Sequence, residues 1–188
     1  MPIYIIEHLE PRVGKWALIE YRNISKIVGA SNLWFTNIKR KNTNLEKLGR
    51  VFKESVAELD LKNVCVLDPE ASQTLEPKEA KSFNYFVFGG ILGDYPPRKR
   101  TKSELTGKIK NAETRNIGKK QFSTDNAVYV VQEIANGKNL EDMKFKYKVE
   151  IRINDVESII LPYLYPVVNG KPLMSPELIH FLKHKKGF

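Results

Sequence analysis

Cysteine is almost missing from these 188 residues: Cys65 stands alone, so no disulfide framework can form within the chain. Its place in the apolar run Val64-Cys65-Val66-Leu67 reads as buried strand and suits a reducing, cytoplasmic compartment. Long hydrophobic runs are missing too. None approaches the roughly 20 residues needed to cross a membrane, and the opening MPIYIIEHLEP lacks the basic start and small-residue cleavage site of a secretory signal, so a soluble protein is expected. Histidine is scarce, at three residues. His180 and His184 lie four apart, but no third ligand accompanies them, and no metal site is expected. Acidic excess is absent: 31 Lys and Arg face 22 Asp and Glu, a formal charge of +9. That balance favours an anionic neighbourhood such as RNA or the ribosome, although a lysine-rich surface equally serves solubility.

What is present alternates. Strand-like and helix-like patterns succeed one another through the first two-thirds, which predicts an α/β fold with a mainly parallel sheet flanked by helices. Ile3-Tyr4-Ile5-Ile6 opens it, and a helix over Lys15–Val28 carries Ala17, Tyr21, Ile24 and Val28 at helical spacing before Gly29. Leu33-Trp34-Phe35 reads as the second strand, and Leu45, Leu48, Phe52, Val56 and Leu59 predict one face of a second helix. A strand at Val64–Leu67 ends at Asp68-Pro69, a short helical turn starts at Pro77, and another strand spans 85–88. Residues 98–120 are polar and lysine-rich, with a short helix expected at 103–109. Ser123-Thr124-Asp125 then caps a buried helix bearing Ala127, Val128, Val130, Val131 and Ile134. Phe145, Tyr147, Val149, Ile151 and Ile153 alternate with charged residues as a half-exposed strand, and Ser175-Pro176-Glu177 starts a last helix, Pro176–His184. With no interdomain linker, residues 1–188 are expected to form one domain, of which 140–188 is a C-terminal extension.

Two stretches have the form of ligand loops. In FVFGGILGDYPPRKRT (86–101), glycines follow a buried strand, where a ligand can approach the backbone. The spacing is GGxxG, and Pro96-Pro97 stand where a phosphate-binding fold would start its helix, so a dinucleotide or triphosphate is disfavoured. A nucleoside without phosphates suits it better, with Asp94 available for hydroxyls or a cation. In RNIGKKQFSTD (115–125), a loop with Gly118 enters the capped helix, where free amides can meet a small polar ligand.

Together, FGGILGDYPPRKRT and GKKQFSTDNAV, with YIIEHLE and WALIEY before them, resemble the motifs of the SPOUT-class methyltransferases, in the branch that methylates arginine in a small-subunit ribosomal protein. The resemblance covers most of the chain. It implies a parallel sheet whose C-terminal half is tied in a trefoil knot, with S-adenosylmethionine bent into the knot loops. By position, Phe88, Gly89, Gly90, Ile91, Leu92, Gly93 and Asp94 match the first cofactor loop. Ile117, Gly118, Lys119 and Lys120 match the second, and Gln121, Phe122, Ser123, Thr124 and Asp125 the third. Where the family carries a Pro-aromatic-Arg-Tyr segment over its active site, this chain reads Leu161-Pro162-Tyr163-Leu164-Tyr165, without the arginine.

A methyl transferred from a sulfonium leaves the protein to align donor and acceptor and to draw a proton from the acceptor. Carboxylates suit a guanidinium acceptor, because they hold it in bidentate fashion. Asp94 is the first choice, with Asp125 and Glu7 also at strand ends or loops. The alternative acceptor is rRNA or tRNA, for which Arg98, Lys99, Arg100 and Lys102 would be the phosphate contacts; a non-catalytic factor binding RNA or the ribosome is the third reading.

Overall fold

The structure is a computed structural model that describes residues 1–91 and 100–184. Its centre is a parallel sheet of six strands: β1 Ile3–His8, β2 Leu33–Thr36, β3 Arg50–Val51, β4 Val64–Leu67, β5 Tyr85–Gly90 and β6 Glu113–Arg115. They lie in the order β3-β2-β1-β5-β4-β6. The expected α/β class therefore holds. Side chains alternate across the central strands: Tyr4, Ile6, Phe86 and Phe88 join the cluster beneath the helices α1 (Lys15–Val28) and α5 (Thr124–Ala135), while Ile5 and Val87 face the opposite layer with Val56, Val66 and Leu105. Burial on both faces is what a parallel sheet requires.

Between α1 and α5 in the chain, three helices are short: α2 Thr43–Glu46, α3 Pro77–Ala80 and α4 Arg100–Glu104. The helix expected over 45–59 is replaced by α2, β3 and a 3-10 turn at Val56–Glu58. The reason lies at Gly49, where an added Cβ would stand 2.4 Å from the Leu33 carbonyl oxygen. The chain hugs β2 there and extends to pair with it, Trp34 opposite Arg50 and Phe35 opposite Val51. The helix expected at 103–109 ends at Glu104, because Leu105 leaves the helical conformation to bury itself against Ile5 and Val87.

A second sheet follows, antiparallel and in the order β7 (Phe145–Arg152), β8 (Ser158–Val168), β9 (Lys171–Pro172). Lys148, at φ 60, forms the irregularity in the β7–β8 ladder. Its inner face, with Val149, Ile151, Leu161 and Tyr165, packs with α6 (Pro176–His184) against Ile19 of α1. The last helix follows the sequence pattern and β7 forms where a strand was expected, but the irregularity at Lys148 breaks the expected alternation, so that Tyr147 is exposed while Val149 and Ile151 are buried; β8 contains Pro162 and Pro166, which argue against a strand. No helix among the described residues is long and apolar enough to cross a membrane.

Candidate functional site

Loops leave adjacent strands at the C-terminal edge of the parallel sheet after β5, β4 and β6, the edge where α/β proteins bind ligands. Asn116, just past β6, ties the last two together. Its amide donates to the Gln73 carbonyl at 2.8 Å, its carbonyl accepts from Leu75 at 2.9 Å, and its side chain donates to the carbonyls of Ala71 and Gln73, both at 3.0 Å. Its Oδ1 accepts from the Gly118 amide at 3.0 Å, which turns the chain, and Gly118 sits at φ 104 with open space where a side chain would be. Lys119 reaches back to the Ala71 carbonyl at 2.9 Å, and Lys120 lies over the Tyr147 ring. Both cations of this loop are therefore engaged with protein groups.

Beyond Lys120 the loop runs along β8. The Leu164 amide donates to the Gln121 carbonyl at 2.8 Å, and the rings of Phe122 and Phe145 are 5.7 Å apart. The segment Leu161–Tyr165 is thus a strand that backs the loop.

The first loop begins at the end of β5, where Glu7 pairs with Gly89 and His8 with Gly90. Gly90 is a packing requirement. A Cβ there would lie 2.5 Å from the Tyr21 hydroxyl and 3.0 Å from Ile6, so the space belongs to the protein rather than to a ligand. The Tyr21 hydroxyl is 2.8 Å from His8 Nδ1, while His8 Nε2 is buried without a hydrogen-bond partner. Burial lowers the His8 pKa, which keeps the imidazole neutral at pH 7. Phe88 is buried below this edge, and Ile91 lies at it. Leu92, Gly93, Asp94, Arg98 and Lys99 lie outside the described residues.

Two of the three expected carboxylates can be placed. Glu7 is buried and accepts three hydrogen bonds: from the Thr36 hydroxyl, from the Ser55 hydroxyl at 2.7 Å and from the Val56 amide at 2.9 Å. It clamps the turn after β3 to β1. Asp125 is buried on the other side of the sheet, in the first turn of α5, and also accepts three: from Ser123 Oγ at 2.7 Å, Asn23 Nδ2 at 2.8 Å and the Asn126 amide at 2.9 Å. Ser123 takes the N-cap position, yet its hydroxyl makes no cap bond; it serves Asp125.

Beside Asp125 is a carboxyl group that periodicity did not single out. Glu20, on α1, is buried and accepts from Trp16 Nε1 at 2.7 Å. Burial, then the charge of Asp125, pushes its pKa up to about 8, while the Thr124 amide and hydroxyl act the other way. The sequence signal available was Trp16-x-x-x-Glu20, a donor and acceptor one helical turn apart.

Of the basic residues proposed as contacts, Arg100 has its guanidinium between Glu104, at 2.7 Å, and Glu10, at 2.9 Å. Lys102 is exposed. Cys65 is fully buried and its thiol is pushed up to about 12, mainly by burial, which leaves it unreactive.

Comparison with known proteins places this geometry. The family described as SFM1-like, protein arginine N-methyltransferase SFM1-like, matches residues 3–187. The chain is 37% identical over 199 residues to Protein arginine N-methyltransferase SFM1 of Saccharomyces cerevisiae, covering 96% of this chain and 93% of that protein. Crystal structures of the yeast arginine methyltransferase SFM1 complexed with SAH and with SAM both match at TM-score 0.88 and 36% identity. The match covers 96% of this chain and 94% of the SAH complex, and 97% and 90% for the SAM complex. The dual-specific Trm10 of Thermococcus kodakaraensis shares the fold, at TM-score 0.58 and 18% identity over 76% of this chain and 96% of that one.

Proposed function

The chain belongs to the SFM1-like protein arginine N-methyltransferase family, and from that premise we propose that it transfers a methyl group from S-adenosylmethionine to an arginine side chain of a ribosomal protein. The observation that carries the reading is the pair of loops at one sheet edge, after β5 and after β6, the second pinned by Asn116 and β8.

These loops fit the cofactor. The second loop presents Gly118 with open space, and Lys119 and Lys120 are occupied elsewhere, so the described residues of that loop form no phosphate clamp and suit a phosphate-free nucleoside. Gly89 and Ile91 at the end of β5, with residues 117–124, would hold it. When bound, the cofactor supplies a methyl carbon already made electrophilic by the sulfonium. The chain's own work is to hold the guanidinium in line and to accept its proton. Asp94 keeps that role in the proposal, because Glu7 and Asp125 already accept three hydrogen bonds each from the chain. The trefoil knot implied by the resemblance belongs to the same proposal, as does work in the cytoplasm, which the single buried Cys65 suits.

The test is incubation of methyl-labelled cofactor with ribosomes from cells lacking the enzyme, followed by separate protease and ribonuclease digestion. Label released by protease and recovered in methylarginine is expected. Label that resists protease and is released by ribonuclease would overturn the arginine reading in favour of an RNA acceptor, the reading that the net charge of +9 keeps in view.

A further inference from the structure

Two buried acids that feel each other's charge are costly, and the fold retains them where α1 crosses the start of α5: Asp125 accepts from Asn23, one helical turn past Glu20 on α1, beside the loop assigned to the cofactor. Glu20 is 6% exposed and Asp125 2% exposed. Neither forms an ion pair among the described residues. Their partners are neutral donors instead: Trp16 to Glu20, and Ser123, Asn23 and the Asn126 amide to Asp125. The Tyr165 hydroxyl, buried and without a hydrogen-bond partner, lies in the field of both acids from β8.

We propose that Glu20 and Asp125 hold one proton between them, and that this pair fastens α1 to the first turn of α5, so that Glu20 is a positioning residue for the cofactor loop 121–124. The inference rests on the methyltransferase reading for its ligand but not for its proton. One negative charge is favoured at this spot, because α5 presents the positive end of its dipole and its first free amides there. A second is opposed, because two ionised carboxylates in a dry site repel without a cation to offset them. Asp125 is the anion, since Ser123, Asn23 and the Asn126 amide all favour its charged form against the burial that raises its pKa. Glu20 carries the proton; burial and the Asp125 charge both favour its neutral form, and its pKa rises to about 8. Among the described residues, the other ionisable groups facing the pair are phenols, Tyr21 from α1 and Tyr165 from β8, both pushed up by burial and neutral here. Where α1 meets α6, Arg22 and Glu177 answer each other.

The sign of the pH effect follows. Glu20 has a folded value above its unfolded one, near 4.3, so the stability it contributes is whole below about pH 4 and is lost as the pH rises to about 8. Above 8 the pair carries two charges and the loop loses its fastening.

The test compares the wild-type chain with Glu20→Gln and Asp125→Asn, using melting temperature from pH 5 to 9 and SAH affinity by calorimetry at pH 7 and 9. Glutamine reproduces the shape of a protonated glutamate and cannot ionise. For the wild type, SAH affinity should weaken about tenfold from pH 7 to pH 9, as the protonated fraction falls tenfold for each unit above about 8. In Glu20→Gln that pH ratio should collapse to within twofold, and the fall in melting temperature from pH 5 to 8 should flatten. Asp125→Asn, which removes the charge and leaves one acceptor oxygen where Ser123 Oγ and Asn23 Nδ2 now use one each, should weaken SAH at both pH values by tenfold or more. Identical pH profiles for wild type and Glu20→Gln would overturn the shared proton. Failure of the wild type to bind SAH at pH 7 would overturn the methyltransferase reading instead, and the melting curves would still judge the pair.

Discussion

Glu7 and Glu20 show what a residue's type and position in sequence can and cannot disclose. Glu7, at the end of a strand, is legible as an acid at the functional edge, yet its carboxylate is consumed by Thr36, Ser55 and the Val56 amide, which are distant in sequence. Glu20 sits between Ile19 and Tyr21 in a helix, and periodicity did not single it out; it is buried against Trp16 and the first turn of α5. Charge and periodicity carry no record of such burial. The role of Glu7 can be measured. Replacing it by alanine leaves the Val56 amide buried without an acceptor and the Thr36 hydroxyl with only the Ile6 carbonyl at 3.4 Å, at a cost of about 1–3 kcal/mol. For Glu7→Ala we expect a lowered melting temperature, with the turnover of the remaining folded enzyme reduced less than about threefold. Loss of turnover by on the order of 10²-fold at unchanged melting temperature would make Glu7 the proton acceptor.

At the scale of elements, period and punctuation located β1, α1, β2, β4, α3, β5, α5, β7 and α6, and failed where contacts distant in sequence overrode them. Leu45, Leu48, Phe52 and Val56 have helical spacing, but the chain there is drawn onto β2 and extended. Strand β8 hides behind its prolines, which are tolerated because Pro166 needs only its carbonyl, an acceptor for the Leu173 amide. The glycine pair ending β5 marked the right edge with an incomplete reason. A side chain at Gly90 meets Tyr21 and Ile6 before it meets any ligand. Gly90→Ala should therefore destabilise the protein by about 1–3 kcal/mol through overpacking, read as a lower denaturant midpoint without cofactor. An unchanged midpoint with lost SAH binding would return Gly90 to the role of ligand contact.

Taken whole, the molecule is a parallel sheet backed by a second layer, in which β8 touches the loop after β6 through Leu164 and Gln121 while Tyr165 and α6 grip α1 around Ile19. Leu182 lies at the centre of that grip, 1% exposed and packed in the cluster of Ile19, Tyr165 and Leu178. Truncating it leaves a cavity, and a buried Leu→Ala change costs about 2–5 kcal/mol, or roughly 5–15 °C in melting temperature for a chain of this size. How that loss appears distinguishes an integral layer from an appendage. If 140–188 folds with the sheet, Leu182→Ala should lower one cooperative transition, with far-ultraviolet circular dichroism and tryptophan fluorescence reporting the same midpoint. SAH affinity should weaken with it, because the strand behind residues 121–122 is loosened. Two separated transitions, the lower one moving alone and affinity unchanged, would show that the C-terminal layer is an independent unit and that the cofactor loop owes its shape to Asn116 and α5 without help from β8.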